Sequence, residues 1–101
     1  MAATPVKPSQ VFEQHRAQIR QIVERHRASN ARVFGSVLRR EDSDQSDLDL
    51  LVEPDEHMTL FDLGAIRYEL RELLGIEVDV LTPNALPDSF RDRVLREAVT
   101  V

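Results

Sequence analysis

Ser46-Asp47-Leu48-Asp49-Leu50-Leu51-Val52-Glu53 alternates aspartate with leucine before it turns aliphatic. A period of two is the signature of a β-strand, with Leu48, Leu50 and Val52 on one side and Asp47, Asp49 and Leu51 on the other. Side chains two residues apart leave a strand on the same face, roughly 7 Å apart at the backbone. One face is therefore made to be buried and the other presents two carboxylates. Such a strand belongs to a sheet packed on helices from one side, with the opposite side free for a site.

Downstream, after Pro54, residues 60–74 read as an amphipathic helix whose buried stripe is Leu60, Leu63, Ile66, Leu70, Leu73 and Leu74, with Gly75 as its stop. Residues 76–82 read as a further strand, with Ile76, Val78 and Val80 on one face and Glu77, Asp79 and Leu81 on the other. A turn over 83–87 leads to a last helix, about 89–98, with Phe90, Val94, Leu95 and Ala98 inward. Upstream, residues 1–8 read as a lead-in containing Pro5 and Pro8. Ser9 then caps a helix to about residue 28 that buries Val11, Phe12, Ile19, Ile22 and Val23. A short strand over 31–34 ends at Gly35-Ser36, followed by a brief helix over 37–40 and a polar loop over 41–46. The expected fold is α/β (α+β by some conventions), a short mixed sheet of three to four strands with helices mainly on one face.

The chain has 101 residues, which implies one domain over 1–101 and little room for a separate substrate-binding unit. Hydrophobic residues at 42% and charged residues at 31% suit a globular protein, and no apolar run approaches the length of a membrane span. With no apolar leader at the start, a cytoplasmic protein is expected. The absence of cysteine restricts any metal site to oxygen and histidine ligands. A net charge of −5 and a pI near 5.1 disfavour a nucleic-acid partner, because such binding depends on neutralising many phosphates.

If Asp79 lies on a strand adjacent to Asp47 and Asp49, three carboxylates converge and repel one another unless cations neutralise them. An all-oxygen donor set suits Mg²⁺ or Mn²⁺. Gly35-Ser36 stands where a strand runs into a short helix, so unpaired backbone N–H groups and the helix dipole favour an anion there, with the Ser36 hydroxyl as a further donor. Arg39 can place a guanidinium on the same phosphates. Ser46-Asp47 follows at a fixed gap, and the whole reads as a device for a nucleoside triphosphate. Glu53 and Glu77 read as solvated edge charges, His15 and His26 as histidines at the rim of the core, and His57 as a loop residue.

Gly35-Ser36, Arg39, Ser46-Asp47-Leu48-Asp49-Leu50-Leu51-Val52 and the separate Asp79 resemble the signature of the DNA polymerase β-like nucleotidyltransferase superfamily, and the small size resembles its minimal branch. The resemblance covers roughly residues 31–82. It implies metal binding and catalysis by Asp47, Asp49 and Asp79, and NTP binding, with ATP favoured, by Gly35, Ser36, Arg39 and Ser46. It further implies a HEPN-type toxin as partner, neutralised by transfer of AMP to a tyrosine. A non-catalytic antitoxin that blocks its partner by direct binding is the alternative. The sequence departs from the pattern at Arg40, where many relatives carry glycine.

Overall fold

A computed structural model describes residues 7–39, 41–43 and 46–101. Residues 1–6, including the Pro5 lead-in, lie outside the described residues, as does Arg40. The chain folds as α1 (Pro8–Gln14), α2 (Arg16–Arg25), β1 (Ala28–Phe34), β2 (Leu48–Pro54), α3 (Leu60–Leu74), β3 (Val78–Leu81), a 3-10 turn (Pro83–Ala85), α4 (Asp88–Glu97) and β4 (Val99–Thr100). The strands form one mixed sheet in the order β3-β2-β1-β4. β2 runs antiparallel to β1 and parallel to β3, and β4 is antiparallel to β1.

The parallel pair requires a crossover, and α3 supplies it. Its ends are set locally. Thr59 and Asp62 form a reciprocal capping box, with Thr59 N–H donating to Asp62 Oδ2 at 2.9 Å, and Gly75 closes the helix in the left-handed conformation at φ +70. Ile66 and Leu70 are fully buried, and Leu74 nearly so. The stripe is narrower than its leucines suggest. Leu60 stands 83% exposed in the first turn, and Leu73 is exposed while its neighbour Leu74 is buried in the core.

The face of β2 carrying Leu48, Leu50 and Val52 is buried with Ala31, Val33 and Val78 under α1, α2 and α3, through Val11, Phe12, Ile19, Val23, Ile66 and Leu70. The other face is half covered. Phe34, Leu51 and Leu86 form a second cluster, with Leu81, Val94 and Ala98 packed against it, so α4 and the 3-10 turn lie on this side. Leu51, which shares a face with the aspartates, is thereby fully buried. Arg91 locks the arrangement, donating to the Pro83 and Leu86 carbonyls at 2.9 and 2.7 Å. Of the four α4 residues expected inward, Val94 and Ala98 are; Phe90 and Leu95 flank the contact and remain exposed.

The N-terminal helix is interrupted rather than continuous to residue 28. His15 leaves helical geometry at φ −127, its Nδ1 bonded to the Val11 carbonyl, and α2 ends ten residues later at Arg25. The cap of α1 is Lys7 with Pro8 at the first helical position, not Ser9, whose N–H is instead taken by a distant carboxylate. β1 begins at Ala28, earlier than hydrophobic alternation shows, because its register shifts between Ser29 and Arg32, where Asn30 adopts φ +49. Residues 35–39 form turns rather than a helix, and β3 starts at Val78 rather than residue 76.

An added Cβ at Gly75 would meet nothing within 4 Å. Gly75→Ala should therefore cost only its left-handed backbone, about 1 kcal/mol. Urea denaturation should report this as a lower midpoint with unchanged slope.

Candidate active site

β2 and β3 pair in parallel with Asp49 opposite Asp79, Leu50 opposite Val80 and Leu51 opposite Leu81. The register places two carboxylates side by side at the start of both strands, with Asp47 two residues before Asp49. On the other side of β2, Phe34 pairs with Asp49, so the chain leaves β1 at Gly35 directly beside that aspartate. Gly35 has φ +78, and a Cβ there would run into the Asp49 carboxylate and stand 3.3 Å from its Cγ. Glycine is needed at this position both for its backbone and for the space it leaves.

Asp47 and Asp79 are exposed and Asp49 is partly buried between them. Burial, then the charges of Asp79 and Asp47, push the Asp49 carboxyl up to about 6 from its ordinary 3.8, with Arg39 acting in the opposite direction. Arg39 is thus electrostatically part of the cluster, although its Nε also donates to Glu41 Oε2 at 3.2 Å. Its backbone N–H donates to the Gly35 carbonyl, and Glu41 N–H donates to the Ser36 carbonyl, which folds the segment after β1 into consecutive turns. Ser46 builds the approach to β2: its Oγ accepts the Ser43 N–H at 2.9 Å, and its N–H donates to the Ser43 carbonyl.

Glu53 and Glu77 are engaged elsewhere, Glu53 with Arg32 across the sheet and Glu77 with Arg67 and Arg71 of α3. His15 and His26 are partly buried at the helix surface, His26 paired with Glu69, and His57 is exposed after β2. Among the described residues no three carboxylate or imidazole groups enclose an ion. The aspartates are neighbours on one sheet face rather than a closed cage. Their chemistry nevertheless fits a hard divalent cation: the donors are all oxygen, and Asp49 bears a charge cost that a cation would relieve. Two residues of the surroundings escape sequence reading. Glu41 competes for Arg39, and Asp42 is buried within what reads as a polar loop. Their neighbours in sequence carry no periodic signal that would single them out.

Because Asp49 holds its proton more tightly folded than unfolded, its contribution stabilises the fold at low pH and is lost as pH rises from 3.8 through about 6. Without added metal, wild type should lose on the order of 1–2 kcal/mol relative to Asp49→Asn between about pH 4 and about pH 8, after allowance for solvent screening. Denaturation in chelator at both pH values measures the difference, and parallel pH profiles for the two proteins would contradict it.

Comparison with known proteins identifies the family and the fold. The model of the nucleotidyltransferase domain family matches residues 16–101. A Methanocaldococcus jannaschii protein assigned as a protein adenylyltransferase is 48% identical over 80 residues, covering 79% of this chain and 86% of that protein. The protein adenylyltransferase MntA of Thermococcus cleftensis is 33% identical over 91 residues, covering 90% of this chain and 89% of MntA. Among solved structures, a minimal nucleotidyltransferase superposes with a TM-score of 0.83 at 39% identity, covering 92% of this chain and 95% of that one. A chain from a toxin–antitoxin crystal structure with AMP-PNP superposes at 0.68 and 13% identity, covering 92% of this chain and 71% of that one, a likeness of fold alone. With the family model matching residues 16–101 and a relative 48% identical over 80 residues, this chain belongs to the nucleotidyltransferase domain family.

Proposed function

We propose that this chain transfers AMP from ATP to a hydroxyl of a partner protein, and that the partner is a HEPN-type toxin, which the transfer neutralises. The observation that carries the reading is the parallel register of Asp49 with Asp79, beside Asp47 and against Gly35. The names of the relatives support a protein acceptor. In this reading Asp47, Asp49 and Asp79 would hold Mg²⁺ or Mn²⁺, which would supply charge neutralisation for the triphosphate and a more acidic attacking hydroxyl.

The rest falls to side chains and backbone. Gly35 leaves the space in which a phosphate can approach, Ser36 offers its N–H and hydroxyl, and Arg39 exchanges Glu41 for phosphate oxygens, a bidentate match that a guanidinium makes well. Ser46 holds the turn that delivers Asp47. The acceptor oxygen bonds to the α-phosphorus as the bond to the β-phosphate breaks, and pyrophosphate leaves. A sheet face half covered by α4 leaves little surface to bind an acceptor independently, which favours one delivered on another folded protein.

Gly35→Ala should weaken ATP binding far more than Ser36→Ala. The first displaces the Asp49 carboxylate, whereas the second removes one hydrogen bond, on the order of 1 kcal/mol. Calorimetry with Mg²⁺ reads both, and wild-type affinity for Gly35→Ala would take the turn out of the site. The decisive experiment is incubation with ATP, Mg²⁺ and the product of the adjacent gene, followed by intact mass measurement of both proteins. A partner heavier by one or more AMP units is expected, with no gain for the double variant Asp47→Asn/Asp49→Asn. Binding without modification would replace the enzymatic reading of the pair with direct blocking, and neither binding nor modification would leave nucleotidyl transfer with a different acceptor.

A further inference from the structure

Asp42 is the one charged side chain buried among the described residues, at 8% exposure. It lies between the two halves of the candidate site, three residues after Arg39 and five before Asp47. Its Oδ2 accepts the Ser9 N–H at 3.0 Å, a contact across 33 residues of sequence. Ser9 is the second residue of α1, where a backbone N–H has no carbonyl of its own helix to bond. The bond is therefore free to be used between segments. Burial raises the Asp42 carboxyl, but the Ser9 N–H and hydroxyl, its own N–H and the nearby Lys7 charge outweigh burial and hold it below the usual carboxylate range.

The other end of this contact is fixed. Pro8, Val11 and Phe12 of α1 are buried, the latter two in the cluster that holds Leu48 and Val52 of β2 and Val37 of the turn after Gly35. α1 is thus part of the body that carries the aspartates. A segment that only had to cross from β1 to β2 would be served by a solvated residue at position 42, since an unpaired buried carboxylate is costly. Instead the carboxylate is turned inward onto α1.

We infer that Asp42 is a positioning residue for the nucleotide: by accepting the Ser9 N–H it ties residues 41–43 to α1, and so sets where the phosphate-binding turn stands relative to the aspartates. The inference rests on the nucleotide reading above. It does not place Asp42 in contact with ATP; the side chain acts through the backbone on either side of it.

The test compares Asp42→Ala with Asp42→Asn, which keeps an oxygen able to accept the Ser9 N–H. Three readouts are taken on the full chain: melting temperature, ATP affinity by calorimetry with Mg²⁺, and hydrogen exchange of the Ser9 amide. In wild type that amide should be protected by its bond to Asp42, although it lies in a first helical turn. Asp42→Ala should lose this protection and bind ATP roughly tenfold more weakly, the equivalent of one hydrogen bond to a charged acceptor, while Asp42→Asn retains most of both. Should Asp42→Ala fail to fold, Asp42→Ser is read in its place, because its shorter hydroxyl cannot span to Ser9. Wild-type ATP affinity in a folded Asp42→Ala, with Ser9 protection lost, overturns the positioning role and leaves nucleotide binding standing. Equal weakening in Ala and Asn variants overturns it as well, since a charge effect rather than the hydrogen bond would then be at work. A wild-type chain that protects Ser9 but binds no ATP overturns both this inference and the nucleotide reading beneath it.

Discussion

Everything in this fold depends on the alternation of β2. Leu48, Leu50 and Val52 are buried completely, and because a strand turns successive side chains to opposite faces, their burial compels Asp49 to point away from α1, α2 and α3. A slip of one residue would bury an aspartate and expose three aliphatic side chains, at a cost of several kcal/mol. The hydrophobic core therefore aims the carboxylates. The parallel register with β3 completes the constraint, for Val78 is buried on the same side as Leu48 and its successor Asp79 has no choice but to stand beside Asp49.

The opposing face shows how such a sheet is kept from being either wholly wet or wholly covered. Leu51 and Phe34 draw α4 down onto the far part of the face, and Arg91 holds the 3-10 turn against it through two carbonyls. Two residues nearer the strand starts, the side chains are Asp49 and Asp79 and no helix follows. Repulsion is concentrated where the apolar cover stops. The raised carboxyl of Asp49 marks that boundary, because it stems first from partial burial and only then from its charged neighbours.

Much of this was legible in the sequence, for identifiable reasons. β2 and α3 announce themselves through strict periods of two and 3.6, and the bounds of α3 follow from Thr59 and Gly75, whose side chain and backbone act within one turn. The aspartates were readable because they sit on those periodic segments. What stayed hidden depends on distant contacts. The break at His15 has no proline or glycine to mark it. β4 is two residues long and exists through pairing with Arg32 and Val33, aided by Arg16 and Arg20, which bond the carbonyls of Thr100 and Val101. The burial of Leu51 required knowing that α4 returns to the aspartate face, and the inward turn of Asp42 required knowing where α1 begins. The nearness of Asp79 to Asp49 was conditional on β2 and β3 being neighbours, which alternation alone does not decide.

Asp49 and Asp79 also belong to one β-α-β unit, joined through α3. Each strand is pinned by its own aliphatic face and α3 by Ile66 and Leu70, so their mutual placement owes nothing to the link between Pro54 and Thr59. Asp55 closes one end of that link on the Arg27 carbonyl and Thr59 caps the other, leaving Glu56 and His57 exposed at its tip. Tips of this kind are where chains accept insertions and cleavage with least effect on what they connect. The link thus lies at the end of β2 opposite its carboxylates, where a change of length has least effect on the placement of the aspartates.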